Sequence, residues 1–366
     1  MNKFLLGTTA LIAAAAMSAE AGAAEKIKLS VSGYGNFAAA YVDQSQSPTA
    51  AESLRDYGFA QETEVHFKGS TTLDNGIKVG FRAELELDRD NAGTDEDGDG
   101  STSNDIIDEV YFHVDTGFGQ FQFGSQDGVA DQFGVFSPII AQGHRLNDAE
   151  IYFFQDPDSG DELFRPVVMR TDVSTSDDSL KLIYITPRLA GFQLGVSFMP
   201  EFTKGYTGFS SRADAEGDQQ ENIWEIGANY SGEFDAVSLA AYVAYMTGSN
   251  ESSAVGDDDL EEWGAGARSG FDLGEGTLSF GGSYRESNTN NFSITTADDR
   301  DETTVWELGA QSATGPWKFG ANYIDGDVEG TSGITTSEGS GWQAEAGYEL
   351  SQGIVMVLGY QNLEYE

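Results

Sequence analysis

The sequence predicts an all-β fold, a transmembrane antiparallel β-barrel formed by one domain. Stretches of roughly ten residues alternate apolar and polar side chains from about residue 27 onward, which is the signature of barrel strands. Very short and long polar connections alternate between these stretches. Because successive side chains of a strand point to opposite faces, each stretch has one apolar and one polar face. A sheet of this kind suits lipid on its outer face and water inside.

The N-terminus predicts export from the cytoplasm. Lys3 supplies a positive charge, residues 4–17 are almost wholly apolar, and Ala21-Gly22-Ala23 has the small residues of a cleavage site. The apolar run is shorter than the ~20 residues that a membrane-spanning helix needs. We therefore expect a signal peptide at residues 1–23 and a β-barrel at residues 24–366.

Composition restricts the partners. The 366 residues include 61 acidic and 19 basic side chains, giving a net charge of −42, and no cysteine. A chain this acidic repels phosphate backbones, so nucleic acid is not expected as a partner. Cations are the expected partners, and no disulfide can form.

The stretch 77–88 illustrates the strand pattern. Ile77, Val79 and Phe81 begin one face, whereas Lys78 and Arg82 lie on the other. A strand of a soluble sandwich would show the same alternation, but a sandwich does not predict the rhythm of the connections. The predicted short turns lie at 73–76, 117–119, 188–191, 232–235, 274–276, 314–316 and 351–353. The predicted long connections lie at about 43–57, 90–104, 127–177, 202–220, 249–260, 288–302 and 326–340.

Tryptophans stand near the predicted strand ends, in phase with the apolar face. Amphipathic rings prefer the boundary between lipid and water, so this placement predicts aromatic girdles. The residues concerned are Trp224, Trp263, Trp306, Trp317 and Trp342.

Several short motifs resemble those of the general porins of Gram-negative outer membranes. They are Phe67-Lys68-Gly69 with Leu73-Asp74-Asn75-Gly76, DEVY at 108–111, GQFQFGSQDG at 119–128 and IYITPRLAGF at 183–192. The resemblance implies a trimeric outer-membrane barrel of about sixteen strands, through which small hydrophilic solutes diffuse. It also implies contact with outer-membrane lipid and lipopolysaccharide, and a third long loop that folds into the barrel and narrows it.

The strand count departs from this resemblance. The pattern contains about fifteen strands, and the last of them ends close to Glu366. An odd count leaves one strand edge unpaired in lipid, which is costly. We therefore expect that the last loop and strand of the complete protein are missing here.

Charged residues predict the chemistry of the constriction. The long connection 127–177 is expected to fold inward and to present acidic side chains, namely Asp127, Asp131, Asp148 and Glu150. An opposing basic wall is expected from His66, Lys68, Lys78, Arg82 and Arg170. Glu64 stands where the resemblance often has arginine. Because one basic member is lost within an acidic chain, we expect the pore to select cations.

The loop around residue 97 has carboxylates at alternate positions. Asp95, Asp97, Asp99 and Ser101 match the spacing of oxygen ligands in a calcium loop, although Ile106 replaces the terminal glutamate of an EF-hand. A structural calcium ion and a flexible acidic loop are both compatible with this sequence. Transport itself requires no cofactor.

Two other functions are compatible with parts of the sequence. A substrate-specific outer-membrane channel would use ligand-matched groups, which Phe133, Phe136 and the aromatic run 152–154 could supply. A secreted calcium-binding adhesive β protein would share the signal peptide and the acidity. An enzyme is not expected, because His66, His113 and His144 are accompanied by no G-x-S-x-G motif.

Overall fold

The computed structural model describes residues 26–45, 55–87, 107–141, 143–147, 154, 169–176, 178–202, 220–250, 259–288, 302–329 and 335–365. Fifteen strands in these ranges form one antiparallel sheet in which each strand pairs with its neighbours in the sequence. The strands are β1 Lys28–Tyr41, β2 Tyr57–Thr72, β3 Lys78–Glu86, β4 Ile107–Thr116, β5 Gly119–Ser125, β6 Leu180–Ile185, β7 Phe192–Glu201, β8 Gln220–Phe234, β9 Val237–Asn250, β10 Leu260–Asp272, β11 Gly276–Ser287, β12 Glu302–Thr314, β13 Trp317–Glu329, β14 Thr335–Ser351 and β15 Ile354–Tyr365. One short helix, α1, spans Val129–Gln132 between β5 and β6.

The sheet curls around its own interior. The loop between β5 and β6 reaches both edges of the sheet: Gln361 of β15 donates a hydrogen bond to the His144 carbonyl at 3.3 Å, and Gly143 packs against Asn36 of β1. No pairing joins β1 to β15 within the described residues. The sheet is therefore a barrel wall with one open seam, and the predicted antiparallel β fold is confirmed.

Tight turns connect alternate strand pairs along one rim. Between β10 and β11, the Leu273 amide donates to the Gly276 carbonyl at 2.8 Å. Gly274 has a φ of 85° in this turn, a conformation that glycine adopts without steric cost. Among the described residues, no helix has the length and apolar character needed to cross a membrane. The predicted signal peptide lies outside the described residues.

The outer face of the sheet is apolar and exposed. Leu29, Phe59 and Leu358 are 74%, 86% and 79% exposed. So large a continuous apolar surface is unfavourable in water, whereas it matches the hydrocarbon of a bilayer.

Aromatic rings form a row around the outer face near the rim of the longer connections. Ring centroids are 5.0 Å apart for Trp263 and Tyr284, 5.4 Å for Trp306 and Tyr323, and 4.9 Å for Trp342 and Tyr360. Direct cross-strand pairing of Tyr284 with Trp306, and of Tyr323 with Trp342, makes the row continuous. Trp224 stacks on Phe198 further along this rim, and Trp317 packs on Tyr348 near the opposite rim.

The buried core lies inside the barrel. It forms where the loop between β5 and β6 packs on the inner face of strands β6 to β10. The main cluster contains Val129, Ala130, Phe133, Val173, Ile183, Ile185, Met199, Ile223, Tyr242, Ala244, Met246 and Leu260.

Candidate functional site

The loop between β5 and β6, residues 126–179, is here called the inserted segment. It starts with α1, whose Val129 and Phe133 lie against the inner wall of β7 and β8. The Val129 amide donates to Ser197 Oγ at 2.8 Å, which positions the first residue of α1. The segment therefore enters the barrel immediately after β5, as the sequence predicts.

Glycines on the inner face of the wall allow the close approach of this segment. A Cβ built on Gly195 would lie 2.8 Å from Val129 Cγ1, and one built on Gly309 would lie 2.9 Å from Ser137 Cβ. Such distances are shorter than side chains tolerate without movement. The glycines that contact the segment occur on seven strands: Gly195, Gly227, Gly264, Gly266, Gly281, Gly309, Gly320, Gly341 and Gly347. Together they form a groove, here called the glycine groove.

Buried glutamates of the wall accept hydrogen bonds from the backbone of the segment. Glu225 Oε2 accepts from the Ala130 amide at 3.1 Å. Glu307 Oε1 accepts from the Ser137 amide at 2.7 Å, and the two oxygens of Glu345 accept from the amides of residues 140 and 141 at 2.9 and 3.0 Å. These carboxylates satisfy backbone donors that the segment could not pair by itself.

Arg268 of β10 complements the glutamates by donating to backbone carbonyls. Its Nε and Nη2 lie 3.0 and 2.7 Å from the Phe136 oxygen. Near Phe136 and Ser137, the wall thus accepts hydrogen bonds from backbone amides of the segment and donates hydrogen bonds to its backbone carbonyls. This arrangement restricts the position of the segment across the lumen.

The returning half of the segment contains a buried ion pair between Arg170 and Asp172. Burial by itself would raise the pKa of the Asp172 carboxyl, but the Arg170 guanidinium and the Ser174 hydroxyl hold that pKa well below its ordinary value. Arg170 is only 5% exposed. The prediction that Arg170 lines the basic pore wall is therefore wrong, because its charge is used inside the segment.

The inner face of β1 to β5 is not covered by the glycine-groove contacts and carries the charged side chains. Its acidic residues are Glu62, Glu64, Glu84, Glu86, Asp108, Glu109 and Asp115, and its basic residues are Lys28, Lys68, Lys78 and Arg82. These strands are here called the charged wall. The expected basic wall is thus a mixed wall in which carboxylates outnumber basic groups.

The four predicted basic residues of β2 and β3 lie among these carboxylates. His66 Nε2 is 2.6 Å from Glu64 Oε2 and 3.4 Å from Glu84 Oε2. Arg82 forms an ion pair with Glu84 and lies 3.9 Å from Glu109. Lys68 is exposed, and Arg82 is its neighbour in the register of β2 and β3. Lys78 Nζ lies 3.9 Å from Asp115 of β4.

The predicted acidic residues of the segment are only partly described. The Asp127 amide donates to Glu109 Oε1 at 3.3 Å, and the Asp127 carboxylate lies close to those of Glu109 and Asp178. Asp131 is half-buried on α1. Asp148 and Glu150 lie outside the described residues, as do Asp95, Asp97, Asp99 and Ser101 of the predicted calcium loop.

The aromatic residues considered for a substrate-specific channel pack on the wall. Phe133 is 5% exposed in the main core, and the ring of Phe136 lies 6.0 Å from that of Tyr242. Phe133 is therefore buried in the core, and Phe136 is partly buried against it. Tyr152 and Phe153 lie outside the described residues.

Sequence reasoning missed the anchoring side chains. None of the three, Glu225, Glu307 and Glu345, is among the site residues predicted from the sequence. The sequence does contain a pattern that points to these anchors. Glycines recur at inward-facing positions of successive strands, close to these glutamates. Recognising it requires the strand register, which the sequence alone does not supply.

Comparisons with known proteins agree with this architecture. Residues 7–366 match the sequence family described as Gram-negative porin. No curated protein sequence matches the chain significantly.

Solved structures share the fold at low sequence identity. The trimer form of OmpT, an outer membrane protein of Vibrio cholerae, has 13% identity and a TM-score of 0.57, covering 94% of this chain and 90% of its own. A porin refined at 1.8 Å resolution has 16% identity and a TM-score of 0.54, with 93% and 95% covered. An anion-selective porin from Comamonas acidovorans has 15% identity and a TM-score of 0.53, with 93% and 90% covered.

The family match extends over nearly the whole chain, so the resemblance found in the short motifs is confirmed. The predicted location in the bacterial outer membrane follows from it, and the family indicates a channel rather than an enzyme. The chain belongs to the Gram-negative porin family.

Proposed function

We propose that this outer-membrane channel is a general diffusion pore for small hydrophilic solutes and ions, and that it prefers cations. The observation that carries the proposal is the excess of carboxylates on the charged wall. The inserted segment contacts the charged wall at Asn36 and Glu109, whereas the glycine groove holds it along seven strands. An ion that crosses beside the charged wall meets more negative than positive groups.

The electrostatic argument depends on the position of the charges. Acidic groups on external loops are screened by salt within about 10 Å. Acidic groups that line a water-filled passage with low-dielectric walls act on every permeating ion. Glu64 and Glu86 face each other across β2 and β3, so their negative charges act at the same height of the wall.

The proposal differs from a substrate-specific channel in its lining. A specific channel needs a series of groups matched to one ligand, and Phe133 and Phe136 are held in packing contacts. A secreted adhesive protein is disfavoured by the exposed apolar outer face. The remaining possibility of specificity is tested by asking whether one class of solute saturates the conductance.

The assembly and the processing of the chain are part of the same proposal. We infer a homotrimer in contact with outer-membrane lipid and lipopolysaccharide, formed after removal of residues 1–23. Cross-linking followed by mass measurement would test the trimer, and N-terminal sequencing of the mature protein would test the cleavage site. A protein that retains residues 1–23 in the outer membrane would contradict the signal-peptide assignment.

A structural calcium ion in the acidic loop is a further proposal. Its ligands would be Asp95, Asp97, Asp99 and Ser101, and the ion would reduce repulsion between loops. Calcium binding that is lost in an Asp97→Asn and Asp99→Asn double variant would support it. Equal calcium binding by this variant and the wild type would overturn it.

Planar-bilayer recording of the purified protein across a salt gradient tests the main proposal. Large stepwise conductance with a cation-selective reversal potential is the expected result. An anion-selective potential would contradict the role given to the charged wall. Conductance that saturates with a single solute class would replace the general pore by a specific one.

A further inference from the structure

Glu64, His66 and Glu84 form a group of possible metal ligands on the charged wall. Glu64 and His66 lie two residues apart on the same face of β2, and Glu84 is the cross-strand partner of His66 on β3. One ligand atom from each residue lies within 4.8 Å of the other two. The three side chains are 14%, 12% and 5% exposed, so they are largely sheltered from solvent.

Residues outside this group contact the carboxylates of Glu64 and Glu84 and orient the oxygens that face His66. The Tyr34 hydroxyl donates to Glu64 Oε1 at 2.7 Å, which leaves Glu64 Oε2 directed at His66 Nε2. Arg82 forms an ion pair with Glu84 Oε1, and Glu84 Oε2 is likewise the atom nearest to His66. Such outer contacts orient carboxylate ligands in metal sites.

We propose that His66 Nε2, Glu64 Oε2 and Glu84 Oε2 bind a divalent first-row transition metal ion, with Zn²⁺ as the reference ion. A tetrahedral ion with ligands at about 2.0–2.2 Å separates its ligand atoms by about 3.4 Å. The His66–Glu84 separation of 3.4 Å has this value. The His66–Glu64 separation of 2.6 Å reaches it by a small rotation of one carboxylate.

The donor set determines the class of ion. An imidazole nitrogen suits zinc and its neighbours, whereas Mg²⁺ and Ca²⁺ prefer sites made entirely of oxygen. The two carboxylates balance the charge of a divalent ion. Glu86 lies beside Glu64 and adds negative potential on the approach to the site.

The fourth position of the ion would face water in the lumen. Binding would neutralise Glu64 and Glu84, two of the carboxylates to which we attribute cation preference. Zn²⁺ is therefore expected to reduce both the conductance and the cation selectivity. This consequence rests on the proposed pore function, whereas the binding itself does not.

Calorimetric titration of the purified, folded protein with Zn²⁺ in detergent tests the site directly. We expect saturable binding that weakens by at least about 10- to 100-fold in His66→Ala, because loss of a partner that only orients a metal ligand already costs about this much. Glu64→Gln is a second variant, because its side-chain oxygen still accepts from Tyr34 while the negative charge is lost. It is expected to weaken Zn²⁺ binding as well, and heat-dependent mobility on gels would establish that each variant is folded.

His113→Ala provides the matched control. His113 also lies on the inner face and contacts a carboxylate, Asp115, at 3.3 Å. Its loss should leave the Zn²⁺ affinity unchanged. Equal Zn²⁺ binding by wild type and His66→Ala, or displacement of Zn²⁺ by an equal concentration of Ca²⁺, would overturn the proposal.

Bilayer recording with Zn²⁺ separates this inference from the proposed function. Zn²⁺ should reduce the current of the wild type and of His113→Ala but not that of His66→Ala. Folded protein that binds Zn²⁺ through His66 but shows no conductance would contradict the pore and leave the metal site standing. Protein that conducts but binds no Zn²⁺ would contradict the metal site and leave the pore function standing.

Discussion

The charged wall and the glycine groove belong to one sheet. Their outer faces are alike and apolar, whereas their inner faces carry different side chains. Strands β2 and β3 present long charged side chains such as Lys68 and Glu86 to the lumen. Strands β7 to β14 present glycines and buried glutamates that contact the inserted segment. The inserted segment, which is held in the glycine groove, therefore narrows the lumen from that side. Ion selectivity is expected to arise at the charged wall.

The difference shows that one residue type serves two purposes in this barrel. Glu64 and Glu86 of the charged wall are partly exposed, so their charge can act on a passing ion. Glu307 and Glu345 are 4% and 5% exposed and accept backbone hydrogen bonds. Their charge is used to hold the segment, and changes in the two groups should have different consequences.

Glu345→Ala is expected to have the largest effect on stability. It leaves the amides of Ile140 and Ala141 without their acceptor, at a cost of about 1–3 kcal/mol for each buried group. The segment should then detach near β14, which hydrogen exchange at residues 140–141 would detect. Glu349→Ala, on the same face of β14 but nearer the short turn, is the control and should leave that exchange unchanged.

Gly266→Ala should destabilise the groove by a smaller amount. The added Cβ would overlap the Val135 carbonyl, and overpacking of this kind costs about 1–3 kcal/mol. Displacement of the segment should raise the single-channel conductance and lower the denaturant midpoint. Gly359→Ala is the control, because its Cβ would meet no atom closer than 3.9 Å. Equal conductance and stability in the two variants would contradict the groove.

Glu86→Gln should change ion selectivity with little effect on stability. A unit charge about 10 Å away contributes about 0.4 kcal/mol in water, which corresponds to about a twofold change in local ion concentration. The cation preference measured by reversal potential should fall by about this factor. Glu225→Gln in the glycine groove should leave the reversal potential unchanged, since that side chain is buried beneath the segment.

The Arg170–Asp172 pair predicts a small pH effect within the segment. Because the pKa of Asp172 is lower in the folded protein, its stabilisation is present above the unfolded value of about 3.9 and is lost as the pH falls below it. Hydrogen exchange at residues 171–174 should therefore accelerate only below about pH 4. In Arg170→Met the acceleration should begin at higher pH, and an unchanged profile would contradict the pairing.

Much of the fold could be predicted from the sequence because the alternation of side chains is local. The predicted strand at 77–88 is observed as Lys78–Glu86. The predicted connection at 326–340 was too long. β13 continues to Glu329 and β14 begins at Thr335, because cross-strand backbone pairing extends through polar residues.

The site could be predicted less well because its contacts are distant in sequence. Ser137 and Glu307 are separated by 170 residues, and no local pattern joins them. Arg170 was assigned to the wall on the expectation that basic groups oppose acidic ones. Its pairing with Asp172, two residues away, became evident only from the folded segment.

The sequence by itself determined the strands, their apolar outer face, the short turns and the family. Each of these depends on neighbouring residues and on burial in lipid, which composition and periodicity report directly. The tertiary structure decided which inner surfaces are covered and which charges remain in the lumen. These features depend on how strands far apart in the chain curve around the inserted segment, and the curvature brings together donors and acceptors that no local rule connects.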